Sequence, residues 1–379
     1  MSYGGVIYFS PMSRVIALLL CLFIPILQAS PTHIKSSVII DTDMGVDDWL
    51  AIAYIANNPN IDLKGITIVG NGLTPCSQAV NNAEYLMGLS ARRGKVPIAC
   101  GSSWPMDGFA SYPRSWRVDA MLMLGEALPS AKPISTYADS SGLMSEILSN
   151  ATNPIEIIAL GALSNIAATL KANPKLKHKI LKITSMGGAL YVPGNLRALG
   201  FTDQHKNVKA EWNYYIDPLA ASIVLKSGVS IRMVPLDATN KVPLTSEFIN
   251  KVNGLPGSPI QAFVSRIYER ITTASGNVQY LHWDPLAAVI AVDPSVCRHE
   301  VVRKIDVVSK PGTDYGLPNG ELKSSFPVVS FFGRERKALS AYSAGATVES
   351  AHGSKINICL DADSSLFEYR YLNGLLSTH

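Results

Sequence analysis

Three consecutive segments near the start of the chain constrain its fold more than any other feature. Ser36–Ile40 is a short β-branched run, and Asp47–Asn58 reads as a helix with acids at its front and Pro59 behind it. Leu63–Val69 is again an apolar, β-branched run that ends in Gly70-Asn71-Gly72. The alternation continues through a helical Gln78–Leu89, a strand at Val96–Ala99, a strand at Ile155–Leu160 and a helix over Leu163–Lys171. Further strands are expected at Ile183–Met186 and Val229–Val234. Apolar strands separated by helical stretches imply an α/β fold: an open, mainly parallel, Rossmann-like sheet with helices on both faces. No repeat, low-complexity tract or linker interrupts the pattern, so residues 31–379 are expected to form one domain. In such sheets ligands bind outside the carboxyl ends of the strands. That directs attention to Asp41, Asp43, Asp47, Asp48, Asn71 and the segments near 195–213 and 282–284.

Composition narrows the function classes. The chain is 47% hydrophobic and 16% charged, with a formal net charge of +4 and no Lys/Arg run longer than a pair. A packed core is expected and a nucleic-acid footprint is not. Arg14 precedes an uncharged, mostly apolar stretch, Val15–Leu27, and then the small and polar Gln28-Ala29-Ser30. This describes a secretory signal peptide over residues 1–30, too short for a comfortable membrane span. An uncleaved anchor is the alternative. The mature protein is therefore expected to be secreted or periplasmic. Once Cys21 is removed with the leader, Cys76, Cys100, Cys297 and Cys359 remain. They could form two disulfides in any of three connectivities, or stay as buried small hydrophobes.

The chemistry is concentrated after the first strand. Asp41-Thr42-Asp43-Met44-Gly45-Val46-Asp47-Asp48 places four carboxylates between an apolar strand and an apolar helix. A solvated acidic surface does not suit that location. Packed so closely, the acids would repel and raise one another's pKa. A hard divalent cation resolves the conflict; calcium accepts about six to eight oxygen ligands in flexible geometry. Neither Cys nor paired His lies nearby, which excludes a zinc site. Gly45 is expected to permit the tight turn that folds Asp43 back on Asp47 and Asp48.

Residues 41–52, DTDMGVDDWLAI, resemble the nucleoside hydrolase signature, whose usual form is DTDPGxDDxxAI, with Met44 in place of proline. The resemblance runs from about residue 37 to 375. It includes Thr67-Ile68-Val69-Gly70-Asn71, Gly161-Ala162-Leu163-Ser164-Asn165, Met186-Gly187-Gly188-Ala189 with Gly194-Asn195, and Ala210-Glu211-Trp212-Asn213 before Asp217-Pro218. Leu236–Lys241 and Trp283-Asp284-Pro285 complete it.

The resemblance implies calcium-dependent hydrolysis of the N-glycosidic bond of a nucleoside. It assigns metal ligation to Asp43, Asp48, the carbonyl of Leu160 and Asp284, with Asp43 as general base on the attacking water. Asp47, Asn195, Glu211 and Asn213 fall on ribose-binding positions, with Asn71 beside them; Asp41 is expected to be a structural acceptor. Relatives are commonly dimers or tetramers. The Pro-to-Met exchange at position 44 is expected to cost turn rigidity but no ligand.

Two departures bear on the substrate. The stretch Leu196–Lys209, which carries Asp203, His205 and Lys206, is longer than usual and is expected to be a surface loop at the pocket rim, with contact to substrate as the alternative. Broad-range members place His directly before the last metal aspartate, whereas this chain has Trp283 there and His282 one residue earlier. On a strand, adjacent side chains face opposite ways, so His282 is not expected to act as the acid. The Trp-Asp pair resembles the purine-preferring branch, where two tryptophans sandwich the base; Trp116 is the candidate partner and Trp104 its rival. Two other readings remain: a haloacid-dehalogenase-like phosphatase, in which Asp47 and Asp48 would have no role, and a nucleoside-binding relative without turnover.

Overall fold

Side-chain alternation along the first strand decides how the protein is layered. In the computed structural model, Val38 and Ile40 pack into one hydrophobic cluster and Ile39 into another on the opposite face, as a two-residue period requires. The structure describes residues 1–5, 35–107, 110–126, 128, 138–275, 278–309, 328–331, 334–337 and 343–376. Residues 6–30 of the expected leader lie outside these. Lys35–His379 forms one compact unit, distinct from Met1–Ile34. Among the described residues no helix is long and apolar enough to cross a membrane.

In chain order the first half runs β1 (Ser36–Thr42), α1 (Val46–Asn57), β2 (Ile61–Ile68), α2 (Cys76–Leu89), β3 (Ile98–Cys100), α3 (Arg114–Met121), β4 (Ala138–Asp139), α4 (Ser140–Asn150), β5 (Ile155–Ala159), α5 (Ser164–Ala172) and β6 (Ile180–Met186). The second half runs α6 (Trp212–Ile216), α7 (Pro218–Leu225), β7 (Ile231–Val234), α8 (Leu236–Thr239), α9 (Ser246–Asn253), α10 (Pro259–Ser275), α11 (Trp283–Val292), β8 (Cys297–Val307), β9 (Val328–Phe331), β10 (Arg334–Lys337), β11 (Thr347–Glu349), β12 (Ser354–Ala362) and α12 (Ser364–Leu376).

Ten strands form one sheet in the order β11-β8-β12-β7-β6-β5-β1-β2-β3-β4, and β9 and β10 pair separately. From β12 to β4 every neighbouring pair is parallel; β8 is antiparallel to both β12 and β11. Helices α1, α2, α9, α10, α11 and α12 cover one face, and α4, α5 and α7 the other. The α/β class read from the sequence is the fold observed. Chain order reverses around β1, which lies between β5 and β2. This is the topological switch point, where a ligand crevice opens beyond the strand ends.

Helix α1 is buried on nearly every side from Asp48 to Asn57, so its hydrophobic residues are not confined to one stripe. It packs against α11, and the two helices bring Asp48 and Asp284 into their first turns. The four cysteines pair as Cys76–Cys100 and Cys297–Cys359, with Cα separations of 5.7 and 5.8 Å. The first joins the start of α2 to the end of β3; the second ties β8 to β12.

Peptide mapping without reductant should recover the 76–100 and 297–359 linked peptides and neither alternative pairing. Closing loops of 24 and 62 residues constrains the unfolded chain by about 3–4 kcal/mol each in a chain-entropy account. Reduction should therefore lower the melting temperature in calorimetry; an unchanged transition would show that the bonds contribute nothing.

Candidate active site

Where β1 leaves the sheet, the acidic segment closes around Asp48. Its Oδ1 accepts hydrogen bonds from Thr42 Oγ1 and from the Asp43 N–H (3.2 Å), and its Oδ2 accepts from the Gly45 N–H (2.9 Å). The Met44 carbonyl accepts from Trp49 Nε1 (3.0 Å) and Thr74 Oγ1 (2.8 Å), which pins the loop to α1 and to the segment after β2. The sequence points to Gly45 as the residue that permits the turn. In the structure Met44 takes the left-handed conformation, at φ 59°, while Gly45 is extended at φ −71°, ψ 179°. Glycine at 45 leaves room for its neighbours, since a Cβ there would meet Leu73 Cδ1 at 2.7 Å and Asp48 Oδ2 at 3.0 Å and displace them. Proline, fixed near φ −65°, cannot occupy position 44 in this backbone. The expectation that Met44 merely loosens a proline turn is thus corrected: it marks a different local conformation.

Asp47 and Asp48 from α1 meet Asp284 from α11, with carboxylate oxygens of all three within 4.8 Å of one another. Asp43 joins them through Asp48. Asp43, Asp48 and Asp284 are buried and Asp47 is half-buried. Burial, then the neighbouring Asp48, pushes the Asp43 carboxyl well above the usual range; burial, then Asp47 and Asp48, does the same to Asp284. Burial reinforced by adjacent aspartates raises Asp47 and Asp48 to about 7. Two charges 4 Å apart repel by roughly 4 kcal/mol at an effective dielectric near 20. Several such pairs rival the whole stability of a domain, about 5–15 kcal/mol. Asp43 Oδ2 and Asp284 Oδ1 are buried without a well-formed hydrogen bond among the described residues. An all-oxygen set with orphaned carboxylate atoms and neither Cys nor His fits a hard divalent cation.

Around the acids, Glu211 caps α6. Its carboxylate accepts from the N–H groups of Asn213 (2.7 Å), Gly188 (3.0 Å) and Tyr214 (3.2 Å), while burial raises its pKa to about 7. Asn213 Nδ2 donates to the carbonyls of Leu160 (2.9 Å) and Met186 (3.3 Å), so the Leu160 carbonyl faces the site from the end of β5. Asn71 is buried and hydrogen-bonded to Ser164 Oγ, which in turn donates to Asp217. Asp41 accepts from Thr67 Oγ1 and Asn165 Nδ2, tying β1 to β2 and α5. Asn195 is engaged structurally: its Oδ1 accepts from the Trp212 N–H and its carbonyl from Trp212 Nε1, both at 3.1 Å.

The aromatic candidates lie in separate clusters. Trp116 contacts Phe201 and Trp212, with centroids 5.4 and 5.7 Å away. Trp283 meets Tyr280 edge-on at 4.9 Å, and its buried Nε1 has no partner among the described residues. Trp104 is half-buried near Ser102. Trp283 opens a helix and does not lie on a strand, so strand alternation is not what removes His282 from the chemistry. His282 is buried among Phe248, Tyr268 and Phe367, its Nδ1 faces the Val242 carbonyl at 3.1 Å, and burial lowers its pKa to about 4. The 196–209 stretch is more than a surface loop. Phe201 and His205 reach Trp116 and Trp212, and buried Asn207 binds the Ala344 carbonyl. Sequence reasoning missed Thr42 and Tyr112. Tyr112 stacks on Trp212 at 5.0 Å and donates to Asn213 Oδ1 at 3.0 Å. Its only signal was proximity to Trp116.

The sequence profile described as inosine-uridine preferring nucleoside hydrolase matches residues 38–368. The chain belongs to that family. It is similar to the pyrimidine-specific ribonucleoside hydrolase RihA of Salmonella arizonae, 30% identical over 232 residues, which span 61% of this chain and 70% of the relative. Its fold is also that of the purine-preferring ribonucleoside hydrolase from Gardnerella vaginalis, at TM-score 0.68 and 23% identity over 90% of this chain and 98% of the other. The inosine-uridine preferring nucleoside hydrolase from Bacillus anthracis superposes at TM-score 0.67 and 18% identity over 91% of this chain and all of the other. This nucleoside hydrolase therefore keeps its family's fold at low identity.

Met44→Pro restores the residue usual in the family, yet it should destabilise this member by about 3 kcal/mol or more, because φ 59° and the Met44 N–H bond to Thr42 Oγ1 are both lost. Calorimetry on the variant tests this; a wild-type melting temperature would mean that Met44 does not hold this conformation.

Proposed function

We propose that the chain is an exported, calcium-dependent ribonucleoside hydrolase that prefers purines. The observation that carries the reading is the convergence of Asp43, Asp47 and Asp48 with Asp284, from opposite ends of the polypeptide, beside Glu211 and Asn213. Asp43, Asp48, Asp284 and the Leu160 carbonyl would hold calcium. When bound, the ion supplies positive charge that acidifies water and favours the ribose hydroxyls.

Asp43 takes the proton of the attacking water as its oxygen bonds to C1′. The C1′–N bond breaks with its electron pair leaving on the base, which takes a proton from solvent water, so the products are free base and ribose, and Asp43 returns its proton to solvent. The transition state is oxocarbenium-like, and the carboxylates of Asp47 and Glu211 and the amides of Asn213, Asn195 and Asn71 hold the sugar and favour its positive charge. His282, caged and poorly basic, is not the acid for the leaving group. Two disulfides are consistent with export, since such bonds persist in oxidising compartments.

Purine preference rests on Trp283 directly before Asp284 and on the aromatic wall of Trp116, Phe201 and Trp212. The RihA relatives carry a pyrimidine-specific name and favour a second reading, that uridine and cytidine are the better substrates. Initial rates on inosine, adenosine, guanosine, uridine and cytidine decide between them: faster pyrimidines would sink the purine preference, and no free base from any of them would sink the reaction.

Exhaustive chelation should abolish turnover and calcium should restore it. Calcium at about a hundred times its Kd should also stabilise the fold by roughly 2.7 kcal/mol. Asp43→Asn should lower kcat by roughly 10²–10⁴-fold. Full activity after chelation, or a wild-type rate in the variant, would remove the cation or Asp43 from the chemistry.

Trp283→Ala should cost inosine about tenfold more in kcat/KM than an activated arylriboside, whose departure needs no stacking help. Equal losses on the two substrates would contradict a stacking role for Trp283.

A further inference from the structure

The loop between β3 and α3 carries a residue outside the motifs described above, yet it reaches the centre of the site. Tyr112 is buried, and its hydroxyl donates to Asn213 Oδ1 at 3.0 Å. The ring has little freedom, because it stacks on Trp212 with centroids 5.0 Å apart and planes 27° from parallel. The loop is tethered at its start by the Cys76–Cys100 bond and midway by the Met106 N–H donating to Asp217 Oδ2 at 2.8 Å. At its end, Pro113 leads directly into α3.

The consequence for Asn213 is specific. With Oδ1 taken by Tyr112, its Nδ2 must face the Leu160 and Met186 carbonyls, so the amide has one orientation.

We propose that Tyr112 is a positioning residue for glycosidic cleavage, its hydroxyl fixing the orientation of the Asn213 amide in the site. The proposal rests on the role given above to Asn213. Small displacements of reacting groups cost rate more than affinity, so the signature should lie in kcat. Asn71 is held by Ser164, and Asn195 by Trp212, on which a phenylalanine ring at 112 would still stack, so both sugar contacts persist without the hydroxyl and KM should change little.

The test compares Tyr112→Phe, which keeps the stacked ring, with wild type and with Tyr112→Ala. Steady-state kinetics on inosine should give a kcat about 10–100-fold lower for the Phe variant, with KM changed less than about threefold. Its melting temperature should fall only modestly, through the loss of one buried hydrogen bond, and the Ala variant should lose both more stability and more rate. A wild-type kcat in Tyr112→Phe would overturn the proposal. So would a large rise in KM at unchanged kcat, because Tyr112 would then bind the sugar itself. A crystal structure of Tyr112→Phe judges the proposal without turnover: the Asn213 amide should reorient, and an unmoved Asn213 would refute it even if the protein proved inactive on every nucleoside. Inactivity of the wild type, by contrast, would count against the nucleoside hydrolase reading alone.

Discussion

The structure is organised around a conflict that the polypeptide does not resolve by itself: like-charged carboxylates gathered where water is scarce. Asp43, Asp48 and Asp284 are buried, and Asp47 completes the group at its edge. A protein avoiding repulsion would have placed a Lys or Arg among them, but the nearest compensation is weaker. The first turns of α1 and α11 contribute partial positive charge, and Thr42 with the Asp43 and Gly45 N–H groups satisfies Asp48. Such donors offset a fraction of the repulsion and leave orphaned oxygens on Asp43 and Asp284. The remaining free energy is available to a cation, which is how a site can be unfavourable for the empty fold and selective for an ion of the right hardness.

The fold accounts for the meeting of these particular residues. The sheet reverses its winding around β1, so the exits of β1, β2 and β5 open into one crevice. Each exit contributes something different. β1 supplies the acids, β2 the Gly70–Thr74 segment with Asn71, and β5 the Leu160 carbonyl and Gly161. Asp284 arrives from a helix packed against α1, which converts a sequence separation of most of the chain into a contact of a few ångströms.

Legibility follows the range of the interactions. The strand-and-helix alternation is local, and Ser36–Ile40 or Ile155–Leu160 can be read without neighbours. The acidic segment is legible because four aspartates between apolar elements cannot all be solvated, and a cation is the simplest way to neutralise them. Backbone conformation is not legible: a methionine at φ 59° carries no compositional mark, and the glycine beside it is the more obvious candidate for a turn. Trp283 reads as a strand residue because the apolar run after it does not reveal its helical period until Asp284 and Pro285 are seen as a first turn. The cysteine pairing depends on how α2 meets β3 and β8 meets β12, and the Tyr112 contact on how the loop after β3 meets α6, none of which spacing encodes. His282 is excluded from the chemistry by its aromatic cage rather than by strand alternation, and that cage includes Phe367 from the far end of the chain.

Met44 also shows what fixes the Asp43 carboxylate in this architecture. If the turn itself positioned Asp43, exchanging proline for a residue in the left-handed region would swing the carboxylate away. Asp43 is instead wedged from both sides. A Cβ on Gly72 would lie 2.2 Å from the Asp43 Cβ, and one on Gly161 would lie 2.8 Å from it. These glycines follow β2 and β5, the two strands that flank β1. The Asp43 side chain is therefore located by the neighbouring strands, through contacts that admit no side chain, and the residue after it is free to vary in conformation. On this account Gly72 and Gly161 constrain the acid more strongly than position 44 does, although only position 44 stands inside the signature.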